Sequence, residues 1–210
     1  MTTQEARDVE LARALLPGDL SAFDEFVETF RQRIFQYSHL MCGQREDAEE
    51  VAQDTLLKLF ENFHTLRSPE RVRPWVFRIA KNACLMKRRR SIFAPEQEVS
   101  LEQYMNLETE DGLRPREVAA PDPEPEARLL QRQLTESLER AIQALPPSYR
   151  SVILLRDMEE LSTEDAAEIL EVSTDVVKQR LHRARLALRR ILEDQLHPPH
   201  RREQPREFDQ

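Results

Sequence analysis

Residues 91–127 hold five prolines, ten acids and only two arginines. That stretch carries a balance of −8, which is the formal net charge of the whole 210-residue chain. Its core, "PDPEPEA", cannot sit inside a helix or a central strand, because each proline removes a backbone donor and pushes its predecessor out of helical geometry. The rest of the chain must therefore fold as two modules on either side. We read residues 95–127 as a flexible acidic linker. With 3 glycines, 6% aromatics and few β-branched runs, the modules are expected to be all-α.

The N-terminal module, residues 1–94, reads as consecutive helices. In "SAFDEFVETFRQRIFQYSHLMCG", Ser21 and Asp24 give a capping-box pattern, and Phe23, Phe26, Val27, Phe30 and Ile34 recur at helical spacing. Gly43 is the expected stop. In "REDAEEVAQDTLLKLFENF", Ala48, Val51, Ala52, Thr55, Leu56 and Leu59 form the inner stripe, and acids crowd the first turn, where the helix dipole favours them. After the break at "SPERVRP", the helix "WVFRIAKNACLMKRRR" sets an apolar arc of Trp75, Val76, Ile79, Ala83 and Met86 against Arg78, Lys81 and Arg88.

The second module, residues 128–196, is expected to hold four helices, over 128–144, 148–158, 162–170 and from 174 onward. The tail 197–210 reads as disordered. The fourth helix carries six Lys or Arg residues and one acid between Ser173 and Arg190. At 100° per residue, Val177, Leu181, Ala184, Leu188 and Ile191 fall in one arc, which packs inward. Lys178, Gln179, His182 and Arg183 lie opposite, with Arg185 on the flank. A short helix, a tight turn and a basic helix make the helix-turn-helix layout that presents side chains to the DNA major groove. A merely solvated basic face is the alternative for this helix alone. The spacing of "LSTEDAAEILEVS" ahead of it and a second basic helix in the other module favour nucleic acid.

Other chemistries find little support. There is no Gly-rich phosphate loop, HExxH or nucleophile elbow, and the five histidines are scattered, so no enzyme is expected. His39 and Cys42 do not amount to a metal site, and Cys42 and Cys84 read as small buried hydrophobes. No cofactor is expected. No run reaches the roughly 18–20 apolar residues of a membrane span, and the N-terminus lacks a signal-peptide pattern, so a cytoplasmic protein without membrane insertion is expected.

Three stretches together resemble the extracytoplasmic-function (ECF) group of bacterial RNA polymerase sigma factors. "DAEEVAQDTLLKLF" resembles that family's polymerase-binding helix. "RPWVFRIAKNACLMKRRR" resembles its segment for the downstream (−10-type) promoter element. "LPPSYRSVILLRDMEELSTEDAAEILEVSTDVVKQRLHRARLALRR" resembles its module for the upstream (−35-type) element. The resemblance implies that Asp47, Glu50, Gln53, Asp54 and Leu57 face a coiled coil of the polymerase's largest subunit. It implies that Trp75 and Asn82, with the loop 63–73, open the duplex and hold an extruded base, and that Arg78, Lys81, Arg88 and Arg89 hold the backbone. In the second module, Thr174, Asp175, Lys178, Gln179, His182, Arg183 and Arg185 would meet the upstream element. Implied partners are core RNA polymerase, through that coiled coil and its flap, promoter DNA, and an anti-sigma factor; the free chain is expected to be a monomer.

The chain departs from the family pattern at several positions. Met86 stands where an Asp is usual, and Glu160 and Glu171 stand where Gly is frequent. Ser is common where Gln179 sits, and Gln prefers adenine in bidentate contacts. The competing reading is a stand-alone helix-turn-helix regulator that binds duplex DNA as a dimer.

Overall fold

The computed structural model describes residues 3–15, 20–90 and 125–196. Most of the linker and the tail 197–210 lie outside the described residues. The described chain holds helices α1 (Thr3–Leu15), α2 (Leu20–Cys42), α3 (Arg45–Asn62) and α4 (Val72–Arg90), then α5 (Pro125–Ala144), α6 (Pro147–Ile153), α7 (Thr163–Leu170) and α8 (Thr174–Leu196). Among the described residues there is no strand.

Helix ends follow the local chemistry. α2 already includes Ser21, so the expected cap is inside the first turn. At its other end Gly43 adopts φ +84° and donates its N–H to the His39 carbonyl, a left-handed close that glycine makes without a Cβ clash. α5 begins at Pro125, three residues inside the expected linker. Proline is tolerated there because the first turn of a helix needs no donor. Pro147 opens α6 in the same way. α6 then widens into a single π-helical turn, Leu154–Met158.

Two cores result. One gathers Phe26, Phe30 and Ile34 of α2 with Ala52 and Leu59 of α3 and Val76 of α4. Phe26 and Phe30 pack ring to ring at 4.6 Å. The second joins the modules. It combines Tyr37, Leu40, Val51, Phe77, Ala80 and Cys84 with Ile142, Val152, Leu155, Ala166, Ile169, Val177 and Leu181.

This joint core corrects the reading of α4. Trp75, Val76, Ile79 and Ala83 do pack inward, but Met86 is exposed, and Phe77, Ala80, Lys81 and Cys84 are buried. A one-sided stripe describes a helix with one neighbour. α4 has neighbours on two sides, α2 and α3 on one and α7 on the other.

Charged side chains also cross between the modules. Glu159 accepts from Arg33 Nη2 at 2.7 Å and from Nε at 3.1 Å, while Arg33 Nη1 donates to Asp8 at 2.8 Å. Arg73 donates to the Glu159 carbonyl. Arg150 of α6 donates to the carbonyls of Leu40 and Met41, the open end of α2. Burial holds the Arg150 guanidinium down to about 10.

Candidate nucleic-acid interface

α8 presents the face expected of it. Ser173 Oγ accepts the Val176 N–H at 3.3 Å, capping the helix start. Val177, Leu181, Ala184 and Ala187 are buried, and Leu188 and Ile191 are half-buried against the same core. Lys178, Gln179 and His182 are exposed along the other side, and Arg183 and Thr174 are half-buried. Asp175 stays in solvent 3.7 Å from Lys178. Arg185 is held by Asp157 through Nε at 2.9 Å and Nη2 at 2.5 Å, so it is committed within the module.

The turn ahead of α8 is short and left-handed. Ser162 caps α7 by accepting the Asp165 N–H at 2.9 Å. At the other end Glu171 adopts φ 58°, and its N–H donates to the Ala167 carbonyl. Glu160 takes φ 51°. Both acids occupy the backbone that glycine adopts freely, each at a cost of roughly 1–2 kcal/mol.

In the first module, Trp75 Nε1 donates to Thr65 Oγ1 at 3.1 Å and ties α4 to the 3₁₀ turn Phe63–Thr65. Beside it lies an open groove of about 600 Å³, lined by Asn62, Arg67, Trp75, Ile79 and Asn82 and bounded by Arg78 and Glu168. An aromatic ring, amides and guanidinium groups around one groove suit stacking and edge hydrogen bonds to an unpaired base. Trp75 and Asn82, paired by the family resemblance, thus line one groove.

Arg78 and Lys81 are placed differently from the open basic face expected. Arg78 pairs with Glu168, and Lys81 Nζ lies 3.0 Å from Glu171 Oε1, with the lysine almost fully buried. Both carboxylates are held below the usual range, Glu168 by its bond from Arg78 and Glu171 by its bond from Lys81. Arg88 is exposed, and the Arg89 side chain lies outside the described residues.

α3 supplies the third candidate surface. Gln53, Asp54 and Leu57 are exposed, with Leu57 56% open to solvent. Asp47 and Glu50 receive Lys87 from α4 at 3.1 and 2.5 Å. Phe60 was missed by the sequence reading. It lies one turn beyond Leu57, 47% exposed, with its ring edge-on to Phe23 at 5.0 Å. The i, i+3 spacing from Leu57 was the signal for it. A leucine row on α5, Leu130, Leu134 and Leu138, was also missed and is exposed.

The chain matches the family description "Sigma-70 region 2" over residues 26–91 and "Sigma-70, region 4" over residues 135–188. It is 29% identical over 180 residues to the ECF RNA polymerase sigma factor SigW of Bacillus subtilis, covering 84% of this chain and 92% of SigW. It is 32% identical over 179 residues to the ECF factor SigE of Mycolicibacterium smegmatis, covering 83% of this chain and 64% of SigE. The chain belongs to the ECF group of the sigma-70 family.

Two solved structures share the fold. CnrH, seen in complex with the cytosolic domain of CnrY, aligns with a TM-score of 0.57 at 23% identity, covering 89% of this chain and 97% of CnrH. RpoE of Bartonella quintana, seen with the anti-sigma factor NepR, aligns at 0.58 with 19% identity, covering 83% of this sigma factor and 98% of RpoE. No described helix is long and apolar enough to cross a membrane. Among the described residues no three His, Cys, Asp or Glu side chains gather as metal ligands, and Cys42 and Cys84 are free thiols packed in or against the joint core.

Proposed function

We propose that this chain is the dissociable specificity subunit of a bacterial RNA polymerase, acting in the cytoplasm with no catalysis of its own. Bond formation belongs to the polymerase, and the chain chooses where it begins. The observation that carries this reading is the division of labour along one chain. α3 presents Asp54, Leu57 and Phe60 as one partly apolar, partly acidic surface, while α4 with its groove and α8 with its basic side present two separate nucleic-acid faces.

In this reading α8 enters the major groove of the upstream element. Lys178, Gln179 and His182 near its start reach base edges, and Arg183 and Thr174 support them at the phosphates. Trp75 and Asn82 receive a base pulled from the downstream element, and Arg78, Lys81, Arg88 and Arg89 hold its strand. Extruding a base costs a few kcal/mol, which stacking on Trp75 and hydrogen bonds from the groove offset. Asp47, Glu50, Gln53, Asp54 and Leu57 engage the coiled coil of the largest subunit. Of the solved structures that share the fold, CnrH is seen with the cytosolic domain of CnrY and RpoE with the anti-sigma factor NepR. We assign an anti-sigma partner to this chain as well, and the exposed leucine row on α5 is apolar surface of the kind partners cover. A duplex-binding dimer is not favoured, because family membership supplies a role for both modules without dimerisation.

The test is binding to purified core polymerase by the full chain. Wild type should form a one-to-one complex, and Leu57→Glu and Asp54→Lys should each weaken it at least tenfold while leaving the melting temperature unchanged. A wild-type chain that ignores core polymerase yet grips duplex DNA as a dimer would end this reading.

A further inference from the structure

Two of the α4 cations that would hold DNA, Arg78 and Lys81, are already paired. Arg71, in the turn leading into α4, pairs with Asp165 and Glu168. Arg78 pairs with Glu168, and Lys81 with Glu171. These acids recur every third residue, at 165 and 168 on α7 and at 171 just past its end, and form a row along the side that lies against α4. Glu168 also stands at the edge of the Trp75–Asn82 groove. The row has the chemistry of a nucleic-acid strand: regularly spaced anions laid across guanidinium and ammonium groups beside an aromatic ring.

Glu171 adds a second observation. Its left-handed backbone would be relaxed as glycine, yet a carboxylate stands there and reaches Lys81. That carboxylate is otherwise open to solvent, so what it gains is the bond to a buried lysine.

We propose that the acidic row Asp165–Glu168–Glu171 is an internal occupant of the nucleic-acid face of α4, so that closure of the two modules and strand binding by α4 exclude one another. Only the naming of promoter DNA as the competitor rests on the sigma-factor reading. The consequence is an order of events. The surface of Asp54, Leu57 and Phe60 on α3 and the basic side of α8 are open in the closed chain, whereas the α4 face is covered. Polymerase therefore meets the closed chain first, and α4 becomes available when the modules part.

A strand that binds only the open form sees an affinity reduced by the fraction of open chain. Exposed ion pairs are individually weak, but four share this interface, and removing the three made by Glu168 and Glu171 together shifts that fraction about tenfold. The test uses the full chain and a fluorescent single-stranded oligonucleotide of mixed sequence at fixed salt. Glu168→Gln with Glu171→Gln should bind it about tenfold more tightly than wild type. The salt dependence should steepen by about 0.7 per cation released. The control, Glu160→Gln with Glu164→Gln, removes the same charge from exposed acids outside these pairs and should stay within about twofold. Equal affinity in wild type and the Glu168/Glu171 variant overturns the proposal, and so does an equal gain in the control.

A second measurement does not depend on any substitution. Carbodiimide joins a lysine to a carboxylate only when the two touch, so free wild type should yield the Lys81–Glu171 linked peptide by mass spectrometry. Adding core polymerase should abolish it. A chain that never gives the link, or keeps it in an initiating complex, contradicts the proposal. If the link forms and the Glu168/Glu171 variant gains affinity but core polymerase does not bind, the internal occupant stands and the sigma-factor reading falls.

Discussion

Glu160 and Glu171 are two acids in the same backbone state with opposite expectations. Glu160 sits at φ 51° after the π-helical turn, exposed. Glu160→Gly should relieve the left-handed clash and raise stability by about 1 kcal/mol, read from denaturant midpoints. Glu171→Gly relieves the same clash but removes the partner of Lys81, so its net change should be smaller and its strand affinity higher. A stabilisation from Glu171→Gly equal to that from Glu160→Gly would mean the Lys81 bond contributes nothing. Glu159, one residue earlier, is a different case. It is buried and held by Arg33, and burial pushes its carboxyl up. Arg33→Met leaves Glu159 and Asp8 without their shared cation and should cost about 3 kcal/mol in thermal or chemical unfolding.

At the scale of elements, most helices were legible because each carries its own punctuation. Gly43, Pro147 and the Ser162–Asp165 pair mark ends that the structure places within a residue or two. The inward arc of α8 was legible too, since Val177, Leu181 and Ala184 face one core. α4 was legible only in part. Helical periodicity reports one buried side, whereas Phe77 packs against Tyr37 of α2 and Lys81 is buried against Glu171, ninety residues away in sequence. No local signal encodes packing at that separation. The groove was half legible, since Trp75 and Asn82 were expected together, while Glu168 at its rim was not. For α8 the expectation is graded by residue. Lys178→Ala and Arg183→Ala should each weaken binding to duplex upstream-element DNA, and each phosphate left without its cation should flatten the salt slope by about 0.9. Gln179→Ala should instead change which sequences are preferred, read by selection from a randomised upstream element, with little change in that slope.

For the whole molecule, the net charge and the charge of the working surfaces are separate matters. Residues 91–127 account for a balance of −8, while the modules bring cations and anions together at their junction. Closure should respond to acid through those anions. The carboxyls of Glu168 and Glu171 are lowered in the folded chain by Arg78 and Lys81. A lowered acid contributes fully above its ordinary value and loses the contribution as pH falls through the lowered one. The Lys81–Glu171 pair should therefore hold at neutral pH and fade below about pH 4. Glu159, raised by burial, takes up its proton earlier on the same descent and gives up its charge pairing with Arg33. A native cross-linker that does not depend on carboxylates, applied between the modules, should show this opening. Unchanged linking from pH 7 to pH 3 would contradict it.

The central claim is that this chain tells polymerase where to start. The most direct measurement is transcript-start mapping with core polymerase on a library of randomised promoters, with and without the chain. Start sites should appear only with the chain and share an upstream and a downstream element. Lys178→Ala with Arg183→Ala should erode the upstream element, and Trp75→Ala with Asn82→Ala the downstream one. Start sites that are the same with and without the chain would contradict a role in choosing them.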